Sequence, residues 1–545
     1  MKILFAWIAM LALIGCNQYP EAEAGNVPNK DAVLSGLAAP QSYSLPAQSK
    51  ELHTITLSCD KEAVTVTATS PWFGVVGGSA EVAKGKRTSV SLWFEPNLTT
   101  KERTSNITVT GVKSGASVTI PVNQSPYFTT ITEALPARFE AQTSSYDSTM
   151  WESDGICSPK NSEAILCAVS KSGNQLSYST KSGASIKNMG KGDYLIYAIP
   201  TKSVAAGEQL DFMCTIAAAE YTSPKYFIFE YWDNGSWRSV VSSLRTAEED
   251  PSIKYSLYCK YFESEHYTTF AQSFSLSKSI KDECVKVRLR CLSDGGGTIR
   301  IPSSRGYMGM YLINYPKAAQ QVDSKKILFI GNSFTYYYGT SFMFKEIARS
   351  EGHQVDAVIS VKGGQEFSEH LRLELSQDAI KRGGYDYAFL QDTSPNPATY
   401  AEYGTASILD ACKQINALTL KYSPSCQIIY ECTWACPYDD YRGYGSYEKL
   451  DQMLNKGFEL LIPQLTEDVW VSPIGDGFRI AREQGLDLLY TDDRHQNRAG
   501  AYMKACINYL FLYKQPFTDS VSDCGLDSAK AAKIRSIAYQ VVFGK

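Results

Sequence analysis

Apolar and polar positions alternate differently in successive stretches of the chain. After Lys2, the apolar run over residues 3–14 gives way to polar sequence rich in Pro, Ala, Ser and Glu, without periodicity, as far as about Ala47. Short β-rich runs then recur at close spacing, at 53–58, 63–68, 90–95, 106–109 and 117–122, punctuated by Gly, Asn, Lys and Pro. That pattern predicts a small antiparallel β-sandwich over residues 48–126. Longer runs follow at 194–199, 209–216, 226–232, 237–242, 284–291 and 307–313, with Asp233-Asn234-Gly235 as a hairpin signal between two aromatic stretches. They predict a second, larger sandwich over 127–318, of jelly-roll type. At Ser324 the texture changes again. Apolar runs at 327–330, 357–361, 387–390, 427–430, 469–471 and 486–490 alternate with helical periodicity at 341–351, 369–382, 406–422, 447–461 and 499–512. Strand–helix alternation over 324–545 predicts an α/β three-layer domain of flavodoxin-like type, its parallel sheet covered on both faces. The fold class is therefore multidomain: two all-β sandwiches, then one α/β domain.

Composition narrows the classes. Of 545 residues, 44% are hydrophobic and 20% charged, which excludes wholesale disorder and a multi-span membrane protein. The net charge of −4 argues against nucleic acid or any strongly charged partner. The unusual counts are 35 Tyr, 14 Cys and 5 His.

The apolar run of residues 3–14 is too short to span a bilayer of about 30 Å and reads as an export signal. Its end, Leu13-Ile14-Gly15-Cys16, resembles the lipobox of bacterial lipoproteins. The resemblance implies a signal peptide over 1–15, acylation of Cys16 and anchorage to the outer membrane at its periplasmic face or the cell surface, and the polar composition that follows suits a flexible tether over 16–47. Without Cys16, 13 cysteines remain, an odd number, so at least one is free or pairs with another chain. They include no CxxC pair and no spacing that would hold zinc, so neither a metal nor a cofactor is expected.

The 48–126 segment resembles a BACON domain in Pro71-Trp72, Asn97, the run from Arg103 to Val109 and the closing Ile120-Pro-Val-Asn-Gln124. That family is associated with secreted glycan-degrading proteins. Trp72 and Trp93 here, and Trp151, Trp232 and Trp237 in the second sandwich, are candidates for stacking on sugar rings, with core packing and cross-strand pairing as the plainer alternative.

The chemistry concentrates after the sheet strands, where α/β folds carry their sites. The first strand runs into Gly331-Asn332-Ser333-Phe334-Thr335, which leaves a serine hydroxyl at a strand end with its own amide near a helix start. Asp492 stands three residues before His495, a spacing that lets the carboxylate accept from Nδ1 and leaves Nε2 free for a serine. Among the five histidines only His495 has such a neighbour at a strand end.

These blocks resemble the first and last of the SGNH, or GDSL-type, serine hydrolases, and the match covers about residues 324–518. Val361-Lys362-Gly363-Gly364-Gln365 matches the second block, and Leu390-Gln391-Asp392-Thr393-Ser394 stands where the family usually reads Gly-x-Asn-Asp. The resemblance implies Ser333 as nucleophile, His495 as base and Asp492 as its orienter. It further implies an oxyanion hole of the Ser333 and Gly364 N–H groups with the Gln391 side-chain amide. Asn332, Gly363, Tyr336, Trp434 and Arg494 are candidate substrate contacts. Tyr337 and Tyr338 could join them in lining a sugar pocket, while Cys432 and Cys436 are alternative nucleophiles without an identifiable base.

The combined expectation is a lipid-anchored carbohydrate esterase, a deacetylase, with an acetylated poly- or oligosaccharide as substrate. Two alternatives stand beside it. One is a noncatalytic surface glycan-binding protein with a degenerate hydrolase domain; the other is a lipase or thioesterase.

Overall fold

The computed structural model describes residues 34–49, 51–135, 137–139, 156–157, 164–179, 183–218, 220, 222–224, 226–239, 256–258, 268–302, 310–315, 323–437 and 443–544. The export signal, Cys16 and Trp151 lie outside them. The chain divides into two compact units. One contains residues His53–Trp93 and Arg103–Gln124 with the segment ending at Leu45; the other contains Pro46–Leu52, Phe94–Glu102 and the chain from Ser125 on.

The first unit is a two-sheet sandwich. A four-stranded sheet has the order Leu37–Ala38, His53–Cys59, Thr88–Phe94, Phe73–Val75, and a five-stranded sheet the order Tyr43–Leu45, Ser117–Gln124, Arg103–Gly111, Val64–Ala68, Ser79–Val82. Alternation explains the core: Ile55, Leu57 and Cys59 point inward from one strand and Val90 and Leu92 from its partner. Residues 34–47, read from composition as tether, instead carry two edge strands, because Leu34 and Leu45 are buried. Trp72 is buried and has the Arg103 guanidinium over its ring, and Trp93 closes over Gly74, so packing accounts for both.

The second unit begins with a larger sandwich of two seven-stranded sheets. Its Tyr226–Asp233 and Ser236–Ser239 strands form the expected hairpin, with Asn234 and Gly235 both at positive φ, as a type I′ turn requires. Trp232 and Trp237 pair across it, but Lys286 lies over the first ring and Arg288 over the second, while Trp237 Nε1 donates to Glu95. A cation of the chain itself thus lies over one face of each ring.

The α/β layer follows in the same unit. Its strands are β1 (Asp323–Gly331), β2 (His353–Val361), β3 (Tyr387–Leu390), β4 (Gln427–Glu431) and β5 (Val469–Ser472), all parallel in the order 2-1-3-4-5. Successive residues of a strand feed two cores. Ile327, Phe329, Phe389 and Ile429 face helices α1 (Ser333–Tyr336), α2 (Thr340–Ser350), α8 (Ile474–Glu483), α9 (Arg498–Tyr513) and α10 (Ser528–Phe543). Leu328, Ile330, Ala388, Leu390 and Ile428 face the opposite side, with α4 (Glu374–Lys381) and α6 (Ala406–Tyr422). Helices α3 (Phe367–His370) and α7 (Tyr447–Leu461) reach this second core through Phe367 and Phe458, and α5 (Asn396–Tyr403) packs on α7 through Ala398. The strand order reverses between β1 and β3, so the crevice at their carboxyl ends is where such a fold receives a ligand.

Two expectations are corrected. The run at 486–490 is not a sixth sheet strand: Tyr490 N–H donates to the His495 carbonyl and Asn497 N–H to that of Leu488, which folds the segment back on the turn holding Asp492. The helix expected at 369–382 is split by an extended Leu373.

The larger sandwich and the α/β layer are joined by a buried ion pair. Lys345 Nζ on α2 lies 2.8 Å from Asp211 Oδ2 on the Gln209–Ala218 strand, with 5% and 1% of the side chains exposed, and Ser273 touches both. A pair so well desolvated and hydrogen-bonded ties the two layers in one arrangement.

Candidate active site

Gly331 ends β1 and lets the chain turn sharply. A Cβ there would run into the Thr335 hydroxyl and come within 2.8 Å of Gln391 Oε1. Asn332 caps α1, its Oδ1 accepting from Phe334 N–H at 3.1 Å. Ser333 is thereby the first helical residue, with its N–H directed out of the helix start.

The three residues of the first and last blocks meet. His495 Nε2 lies 2.8 Å from Ser333 Oγ, and His495 Nδ1 lies 2.6 Å from Asp492 Oδ2. Asp492 Oδ1 also accepts the backbone N–H groups of His495 at 2.9 Å and Arg494 at 3.1 Å. Burial pushes the Asp492 carboxyl up, but the His495 and backbone hydrogen bonds outweigh it and bring it down to about 2. Asp493, next in sequence, is exposed and left-handed at φ 53°, facing away in the turn rather than opening a helix, which starts only at Arg498.

The glycine block is hooked to the serine turn at both ends. Lys362 N–H donates to the Gly331 carbonyl at 3.1 Å and Asn332 Nδ2 to the Gln365 carbonyl at 3.1 Å. Gly363, half-buried, and Gly364, exposed, form the middle of that turn. Gly364 adopts φ 69°, and its N–H makes no hydrogen bond within the described residues.

Gln391 corrects the sequence reading. It is fully buried, and its Oε1 accepts from Asn332 N–H and from the Thr335 hydroxyl, each at 3.0 Å. An amide N–H can only donate, so the side-chain oxygen must face Asn332 and the NH2 turns to the Asp392 carbonyl. Gln391 shapes the serine turn and is not aimed at the reacting atoms.

Three candidate substrate contacts are corrected as well. Asn332, 4% exposed, spends both side-chain atoms on the turn. Tyr336, 2% exposed, packs with Tyr337 and Val361. Trp434, 1% exposed, is stacked between Phe334 at 4.4 Å and Phe478 at 4.0 Å, while its Nε1 donates to the Arg494 carbonyl. Trp434 braces the turn that holds His495. Arg494 and Gly363 remain partly accessible beside the site. Cys432 and Cys436 are both buried, and burial pushes the Cys436 thiol up to about 12, against any role as nucleophile.

Several supporting residues escaped the sequence reading. Gln496 Nε2 reaches the carbonyls of Ser333, Phe334 and Tyr337 at 3.4, 3.1 and 3.3 Å, where the short α1 leaves its acceptors open. Lys504 Nζ donates to the Phe334 carbonyl at 2.8 Å and pairs with Glu431 Oε2 at 2.6 Å, and Asn508 closes on Glu431 Oε1 at 2.7 Å. Burial lowers the Lys504 pKa while Glu431 holds it up. A lysine on the apolar stripe of α9 was the available signal. His370, which the helix pattern hides, is buried behind the turn with Nδ1 2.8 Å from Ser376 Oγ, and burial takes it down to about 3, a neutral ring.

Chemically, the arrangement is a hydroxyl on a hydrogen-bonded imidazole whose far nitrogen is held by a carboxylate, with N–H donors nearby. Such a set can move a proton from the hydroxyl as it attacks a carbonyl.

No family model matches the sequence, and no curated protein matches it either. Among solved structures, similarity extends to a DUF4886 family protein from Bacteroides uniformis, at 19% identity over 41% of this chain and 96% of that one, TM-score 0.33. A carbohydrate esterase family 3 protein from Talaromyces cellulolyticus matches at 15% identity over 35% and 97%, TM-score 0.28. A family two carbohydrate esterase from Clostridium thermocellum, solved with cellohexaose, matches at 12% over 62% and 96%, TM-score 0.27. The chemical case rests on this chain's own geometry.

Proposed function

We propose that the protein is a serine ester hydrolase of the SGNH type that removes acyl groups, acetyl above all, from carbohydrates, and that it is held at the outer membrane by a lipid on Cys16. The observation that carries the reading is the line from Asp492 through His495 to Ser333, at 2.6 and 2.8 Å. His495 takes the Ser333 proton as Oγ attacks the ester carbonyl, and Asp492 steadies the imidazolium. The oxyanion draws on the backbone N–H groups of Ser333 and Gly364, two donors rather than three, since the Gln391 side chain is fully buried with its NH2 turned to the Asp392 carbonyl. His495 then returns the proton to the departing alcohol. Water, activated by the same ring, releases the acid from the acyl-enzyme.

The carbohydrate part rests on the BACON-like segment and the export signal. It is tested by acetate release from a panel of acetylated polysaccharides, wild type against Ser333→Ala. Release from at least one polysaccharide, lost in the variant, is the expected result. Activity confined to long-chain aryl esters would replace the reading with a lipase. Cys16→Ser is expected to move the protein from the membrane to the soluble fraction, and unchanged partitioning would refute the anchor.

A further inference from the structure

We infer that Tyr337 is a positioning residue for His495, a flat platform that sets the tilt of the imidazole while it exchanges the serine proton; the inference rests on the hydrolase reading above. The Tyr337 and His495 rings are stacked, with centroids 4.1 Å apart and planes 14° from parallel. His495 is otherwise held by its edges, Nδ1 on Asp492 and Nε2 on Ser333, while Phe334 meets it edge-on at 5.5 Å. Two hydrogen bonds along one axis leave the ring able to rotate about that axis. A parallel aromatic face on one side removes that freedom. The same face presents its negative π surface to the imidazolium that forms when His495 accepts the proton.

The backbone is bent to bring the ring there. Helix α1 stops at Tyr336, Tyr337 is extended at φ −56° and ψ 133°, and Tyr338 and Gly339 follow at φ 51° and 70°. Tyr338 is a bulky residue in the left-handed region, a conformation retained only where its surroundings enforce it. One enforcing contact comes from the histidine's own neighbour, as Gln496 Nε2 donates to the Tyr337 carbonyl at 3.3 Å. Tyr337 has no exposed surface, so it cannot be a sugar contact.

The test uses the full chain and an aryl acetate, comparing Tyr337→Phe and Tyr337→Leu with Tm measured alongside. Phenylalanine keeps the face and is expected to hold kcat within about twofold. Leucine removes it and is expected to lower kcat about tenfold with KM within about twofold, as one face-to-ring interaction is worth. Should the leucine variant fold poorly, Tyr337→Met fills similar volume without a face and gives the same readout. An unchanged kcat in the leucine or methionine variant overturns the inference, as does an equal loss in the phenylalanine variant. Ser333→Ala and His495→Ala run beside them: if those retain activity, the hydrolase reading itself fails, whereas their inactivity with an active leucine variant removes only the platform.

Discussion

The Lys504 ammonium group sits 2.8 Å from the carbonyl oxygen of Phe334, one residue past the serine, and is itself fully buried. Its only counter-charge among the contacts described is Glu431, 2.6 Å away and equally enclosed. Breaking a buried pair leaves one charge uncompensated, so Lys504→Met should cost about 3–5 kcal/mol in urea unfolding. The double variant Lys504→Met with Glu431→Leu should recover part of that stability, the remainder being lost because Asn508 Nδ2 no longer has its acceptor. It should still show reduced kcat, because the Phe334 carbonyl loses the Lys504 donor and keeps that of Gln496. A single variant as stable as wild type would contradict the pairing.

Gln391→Ala removes the acceptor for Asn332 N–H and the Thr335 hydroxyl in a buried site. Stranding those donors is expected to cost about 1–3 kcal/mol each, read as a fall in denaturation midpoint that accompanies the loss of activity. Gly331→Ala, whose new methyl meets the same two side chains, should act in the same direction. If Gln391→Ala instead kept full stability and lost only turnover, Gln391 would be an oxyanion donor after all.

Asp492→Asn keeps an oxygen for the backbone N–H groups but puts its NH2, or an altered tautomer, against His495 Nδ1. Turnover of an aryl acetate should fall by about 10³–10⁴ with little change in Tm. A loss under tenfold would show that another group orients the imidazole.

Two carboxyls set opposite pH trends in stability. Asp392 is half-buried, and desolvation of its carboxyl pushes it up to about 6, although it accepts from Asn396, Phe367 and Thr393. Below about pH 4 its proton is held in folded and unfolded chains alike. As pH rises from 4 to 6 the unfolded chain releases it first, and stability falls by up to roughly 3 kcal/mol. Asp492, brought down to about 2, stabilises above about pH 4, and that contribution is lost as pH falls towards 2. Asp392→Asn should therefore flatten the decline between pH 4 and 6 in a chemical-denaturation series, and an unaltered slope would contradict the assignment.

What could be read from sequence was set by local pattern. β1 to β5 and helices α6 and α7 announce themselves through periodicity, and the Asp-x-x-His turn carries its own geometry within four residues. The supporting contacts were not readable, because they join residues 56 to 170 positions apart. Gln391 to Thr335, Gln496 to Phe334 and Lys504 to Phe334 depend on which strands become neighbours. Trp434 and Tyr336 misled for a related reason: an aromatic residue near a strand end is equally suited to a pocket wall and to a brace beneath one. The α8 stripe of Ile474, Phe478 and Ala481 was present at helical spacing, and its short length hid it.

The central claim is that Ser333, activated by His495, is the nucleophile. Treating the full chain with an activated fluorophosphonate and mapping the adduct by mass spectrometry tests it directly. The account predicts a single adduct on Ser333, formed far more slowly in His495→Ala and absent from Ser333→Ala together with hydrolysis of an aryl acetate. A Ser333→Ala variant that labels elsewhere and hydrolyses the ester at the wild-type rate would contradict it.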